Sequence, residues 1–142
     1  MSPRPVLLGL ALIAGAPAAA EIVPVREAGP DVRATLEAME DTVVRTFVWD
    51  VDVDGDGTAE RVVQAGFTPG GNGWYTRFFV FAAYRAETPV EVNAGPVAFF
   101  DQVETGQDGP FAVTRSYGPG DGRCCPSVIG RMSLRLDDLD TE

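Results

Sequence analysis

The amino-acid sequence predicts an α+β fold, with one N-terminal helix followed by an antiparallel meander sheet of about six strands. Three observations carry that expectation. One early stretch has apolar residues at helical spacing. The remainder alternates Val, Phe, Tyr and Trp with polar residues, and the connections between these runs are short and rich in Gly, Pro, Asn or Asp. Strands joined this way run antiparallel, because a parallel pair needs a crossover of a dozen or more residues. No internal repeat is visible.

Residues 1–20 read as a leader. Arg4 precedes an apolar run over 6–16, and Ala18-Ala19-Ala20 supplies small residues ahead of Glu21. This is the layout of a secretory signal peptide cut after Ala20. The run is shorter than the roughly 20 residues that a bilayer span needs, and no later stretch is long and apolar enough. No cysteine stands at the junction to take a lipid. Of the 142 residues, 122 would remain in a periplasmic or secreted product. That length suits a single domain over 21–136 with an acidic, solvated tail over 137–142.

Within the domain, Val32, Leu36, Met39 and Val43 fall at i, i+4, i+7 and i+11 after Gly29-Pro30. With Asp31 and Glu37 placed toward the positive end of the dipole, they predict a helix over 31–41. Strands follow at 43–49 and 60–67, paired across an acidic loop. The turn Thr68-Pro69-Gly70-Gly71-Asn72-Gly73 leads into a long strand over 74–85. A return strand falls within 90–100, interrupted by Asn93-Ala94-Gly95-Pro96. Gly106-Gln107-Asp108-Gly109-Pro110 turns 97–105 into 111–117. A glycine-rich loop over 118–126 precedes a last strand over 127–136.

Composition excludes whole classes of chemistry. The chain has no histidine, and all eleven basic residues are arginine. A Ser-His-Asp or Cys-His nucleophile cannot be built, nor a His-ligated zinc site, and two cysteines alone cannot make a tetrahedral thiolate site. A phosphate-binding loop of the Walker type lacks its lysine. The formal net charge is −10, and loss of the leader removes Arg4 and leaves about −11. Such a balance argues against nucleic acid and anionic membrane, and suits a divalent cation or a basic partner.

The acid is concentrated in Asp50-Val51-Asp52-Val53-Asp54-Gly55-Asp56-Gly57-Thr58-Ala59-Glu60. Carboxylates this close repel unless a cation sits among them. Hard oxygen ligands at this spacing suit Ca²⁺, and suit Mg²⁺ less because it keeps more of its water. An EF-hand is excluded, since counting Asp52 as position 1 puts Val63 where that loop needs a bidentate glutamate. The alternative is an acidic turn in which Asp side chains cap their own backbone amides. It accounts for the glycines but not for aspartates placed where they repel.

The only cysteines, Cys124 and Cys125, are neighbours. In an oxidising compartment a vicinal disulfide between them is the expected outcome, with two free thiols or an intermolecular bridge as the alternatives. The surrounding loop, from Tyr117 through Arg123 to Ser127, sets one aromatic and one cation beside the pair, as candidate contacts for a small molecule.

Two motifs carry resemblances. Asp52-x-Asp54-Gly55-Asp56-Gly57-x-x-Glu60 resembles the calcium loops of FG-GAP and VCBS-type repeats. That likeness implies side-chain ligands from Asp52, Asp54 and Asp56, a backbone carbonyl from Thr58 and a carboxylate from Glu60, with Asp50 just outside. An acidic hairpin followed, several strands later, by Cys124-Cys125-Pro126-Ser127 resembles LppP/LprE-type bacterial exported proteins, over about residues 31–136. The family implies an envelope location and no defined activity; the chain departs from it in lacking a lipoprotein cysteine. The expected function is therefore a non-enzymatic exported domain holding one structural Ca²⁺ and contacting a protein or small-molecule partner. An envelope redox-responsive or ligand-binding module using Cys124 and Cys125 is the alternative. A metal-assisted hydrolase is a third reading, one that needs a cleft at the acidic loop.

Overall fold

The computed structural model describes residues 18–39, 41–82 and 88–139. Its layers follow from the strand after the acidic hairpin, Glu60–Thr68, which is buried along nearly its whole length. A strand buried on both faces needs an apolar cover on each. Val62 belongs to a core with Trp49, Phe78 and Phe100, whereas Val63, Ala65 and Phe67 belong to a second core with Val32 and Leu36. One face meets another sheet and the other meets a helix.

In chain order the elements are β1 Ala20–Ile22, α1 Pro30–Glu37, β2 Thr42–Val51, β3 Glu60–Thr68 and β4 Tyr75–Phe81. They continue with β5 Val90–Val92, β6 Val97–Gly106, β7 Gly109–Ser116, β8 Val128–Ser133 and a 3₁₀ turn at Leu136–Asp138. Two antiparallel four-stranded sheets result, ordered β2-β3-β4-β5 and β1-β6-β7-β8. The expected α+β class, a helix plus one six-stranded meander, is thus overturned. The protein is mostly β, with eight strands in two sheets and one helix of eight residues among the described residues.

The correction has a local cause at 93–96. The single return strand expected over 90–100 is two strands in different sheets. Gly95 takes a φ of +56° and its N–H donates to Asn93 Oδ1 at 3.0 Å, so the chain turns there instead of bulging. β5 stays on β4, and β6 crosses to pair with β1 and β7. The helix is also shorter than expected. Val43, the last member of its apolar series, lies in β2, where the β-branched run Thr42-Val43-Val44 favours extended backbone.

Val32 and Leu36 pack the helix onto Phe67, Phe79 and Phe81, all at most 1% exposed. Burying each such side chain stabilises by about 1.5–3 kcal/mol relative to leaving it in water. Asp31 accepts from Arg61 Nη1 at 2.6 Å, tying the first helical turn to β3, and this guanidinium lowers the Asp31 pKa. Between the sheets, Phe78 stacks on Phe100 with ring centroids 4.3 Å apart, and Trp49 lies against the same ring.

A register shift between Val43 and Arg45 changes the facing of β2. Val43 packs with the helix-side core, whereas Phe47 and Trp49, two and four residues after Arg45, pack with the inter-sheet core. The bulge places Arg45 in line with those two rings. At the other end of the chain, Leu136 N–H donates to Val53 O at 2.7 Å and Leu139 is buried against the inter-sheet core. The tail expected to be solvated is docked as far as Leu139, while 140–142 lie outside the described residues. So do 1–17, which hold most of the expected leader.

Candidate functional site

The acidic loop is the connection between β2 and β3, as expected, and its conformation is dictated by its own carboxylates. Asp52 Oδ1 accepts from Gly55 N–H at 2.8 Å and Oδ2 from Gly57 N–H at 2.9 Å. Asp54 accepts from Asp56 N–H and Asp56 from Thr58 N–H, each two residues on in the manner of an Asx turn. Gly55 and Gly57 have φ of +78° and +89°, where an L side chain is strained. The capping turn considered as an alternative is therefore present in full. It does not exclude a metal, since Asx turns and metal ligation use different lone pairs of the same carboxylates.

Glu60 is buried, and its Oε2 accepts from Val53 N–H at 3.0 Å. With Leu136 on the Val53 carbonyl, the segment entering the loop is pinned on both of its polar groups. Asp52, Asp54 and Glu60 each offer an oxygen within 4.8 Å of the others. Oxygens sharing one Ca²⁺ at about 2.3–2.6 Å lie within roughly 5 Å of each other, so the trio fits a hard cation without selecting among them. Asp56 stands outside the trio, and Asp50 remains on β2 opposite Arg61. Thr58 is half-buried, with its N–H on Asp56.

The trio is electrostatically unbalanced. Burial pushes the Glu60 carboxyl up from its ordinary range, and Asp54 and Asp56 add to the rise. None of the four ion pairs among the described residues reaches a loop carboxylate; Arg61, the nearest arginine in sequence, serves Asp31.

The second candidate region is the loop between β7 and β8. Cys124 and Cys125 are bonded to each other, both exposed, with Cα atoms 3.8 Å apart. Tyr117 donates its hydroxyl to the Arg123 carbonyl at 2.7 Å, closing the segment that leads into the pair. Asp121, which sequence reasoning passed over, is its organiser. Its Oδ2 accepts from Gly118 N–H at 2.7 Å, Ser127 N–H at 2.8 Å and Ser127 Oγ at 3.0 Å. These donors hold the Asp121 carboxyl below the usual aspartate range.

Tyr117 and Arg123 come together on the wall of a cavity of about 500 Å³ that also takes in Trp74. Tyr117 and Trp74 border a neighbouring cavity of about 400 Å³, walled further by Arg45, Trp49, Phe100 and Cys124. Sequence reasoning missed Trp74, Arg45 and Trp49. An aromatic directly after a glycine-rich turn was a usable signal for Trp74. The bulge that re-aims Arg45 left no signal. Neither of these two cavities draws on the acidic hairpin.

No protein-family model, curated protein or solved structure matches the chain.

Proposed function

We propose that this is an exported β-rich domain in which the β2–β3 hairpin holds one structural Ca²⁺ while the cysteine-loop end contacts a partner. The reading rests on the convergence of Asp52, Asp54 and Glu60 within 4.8 Å, with none of the ion pairs among the described residues reaching them. Asp56 and Thr58 complete the ligand set in the resemblance to FG-GAP-type loops. The ion's role is structural: it offsets part of the hairpin's negative charge and locks the start of β3, next to the docked turn at Leu136–Asp138. The exported location rests on the leader-like sequence before Glu21 and on the resemblance to LppP/LprE-type proteins. No helix among the described residues is long and apolar enough to cross a membrane.

The test is a thermal melt with Ca²⁺ and with chelator. A ligand that binds only the folded state stabilises by about 2.7 kcal/mol at a hundredfold excess over Kd. Wild type should melt higher in Ca²⁺, and Asp54→Ala should not respond. Identical melts would leave the hairpin as a capping turn.

The second reading, an envelope ligand-binding or redox-responsive module, is favoured by one observation. Cys124 of the bonded pair lines a cavity together with Tyr117 and Trp74.

A further inference from the structure

We propose that the cavity of about 400 Å³ between β2, β6 and the cysteine loop is a binding site for a planar, aromatic or extended apolar organic anion. The proposal deepens the ligand-binding reading above and is independent of calcium. The volume lies within the range of small-molecule pockets, about 300–1,000 Å³. The wall is dominated by the rings of Phe47, Trp49, Trp74, Phe99, Phe100 and Tyr117. Such a lining receives a flat apolar body by area burial and ring stacking.

Charge selects the head group. Arg45 is the one cation of the lining, held over the Trp74 ring at 4.4 Å from its centroid. It enters none of the ion pairs among the described residues, so its fork of N–H donors is open to a carboxylate or sulfonate. Asp101 is the one acid of the lining, and Arg115 already holds it through Nε at 3.1 Å and Nη2 at 2.9 Å. The cavity therefore presents a positive pole on a protein of formal net charge −10.

A further sign is Trp49. It is 2% exposed and forms part of the wall, yet its indole N–H has no acceptor among the described residues. Buried donors are nearly always paired, and an occupant carrying an acceptor could pair this one after a small adjustment of the wall. The site draws its rigidity from neighbours. The β3–β4 turn beneath Trp74 is clamped by Thr68 Oγ1 donating to Gly73 O at 2.7 Å, and Tyr117 is fixed by its bond to Arg123.

Calorimetric titration with 2-naphthoate tests the proposal, with the neutral 2-naphthamide as comparison. Chelator is present throughout, so the outcome does not depend on the calcium reading. Saturable one-site binding is expected, with 2-naphthoate preferred over the amide. Arg45→Gln should weaken 2-naphthoate about tenfold and the amide by a smaller factor, so that the preference for the anion shrinks. Trp74→Ala should weaken both, about threefold to tenfold. Both side chains lie at the surface, and far-UV circular dichroism checks that the variants are folded. No binding of 2-naphthoate at millimolar concentration would overturn the site. Equal binding of the two probes, unaffected by Arg45→Gln, would overturn its anionic ligand.

Discussion

Gln64, inside β3, accepts the backbone N–H of Phe100, on β6, through its side-chain oxygen at 2.5 Å. It is one of four buried polar or charged residues among the described residues, and it bridges the two sheets where β6 is irregular. The register of β6 shifts between Phe100 and Gln102, next to the N–H that Gln64 takes up. Gln64→Leu keeps the volume roughly but leaves that amide buried without a partner. The expected loss is about 1–3 kcal/mol, read as a lower midpoint in urea with an unchanged slope. An unchanged midpoint would show that the bridge is dispensable.

Glu60→Gln separates charge from shape at the hairpin. The amide oxygen can still accept from Val53 N–H, while the negative charge beside Asp54 and Asp56 disappears. In chelator the variant should be at least as stable as wild type, because a buried, unpaired carboxylate is relieved. In Ca²⁺ it should gain less than wild type. Melts under the two conditions read both effects. A variant that is less stable in chelator would assign Glu60 a purely structural role.

Asp121 makes the cysteine loop acid-sensitive. Its folded pKa is lowered by the donors of Gly118 and Ser127, so the ordering it provides is present above the ordinary aspartate range. That ordering is lost as pH falls through the lowered value. The amide resonances of Gly118 and Ser127 should titrate together, with a midpoint below the ordinary aspartate value. Asp121→Ala should abolish the titration and loosen 118–127 with the sheets intact. Independent midpoints for the two amides would refute a shared carboxylate.

Non-reducing denaturant should expose no free thiol, and reduction should expose two, with the chain monomeric throughout. Adjacent residues close almost no loop, so reduction should cost little global stability. A change in 2-naphthoate affinity on reduction, with the fold retained, would favour the redox-responsive reading. A disulfide-linked dimer would assign the cysteines to assembly instead.

Cleavage after Ala20 would leave Glu21 and Ile22 still opposite Glu104 and Val103 in the β1–β6 pair. N-terminal sequencing of exported protein should read Glu21 first. Cytosolic protein beginning at Met1 would remove the oxidising compartment on which the expected disulfide relied.

The sequence by itself determined what depends on near neighbours. The acidic hairpin, its flanking strands and its glycine positions are encoded within about twenty residues, so their pairing across the loop was legible. The hairpin between β6 and β7 was legible for the same reason. Tertiary structure alone decided which sheet each strand joined. A turn at Asn93-Ala94-Gly95-Pro96 looks the same whether the next strand returns to its neighbour or crosses to a second layer. That choice is made by the apolar faces of β3, which must be covered on both sides. β1 was invisible because three residues at the edge of a leader carry no period. The cavity was invisible too: Arg45 and Trp49 on β2 are far in sequence from Trp74 and Tyr117, and only packing of two sheets against a stapled loop brings them to one wall.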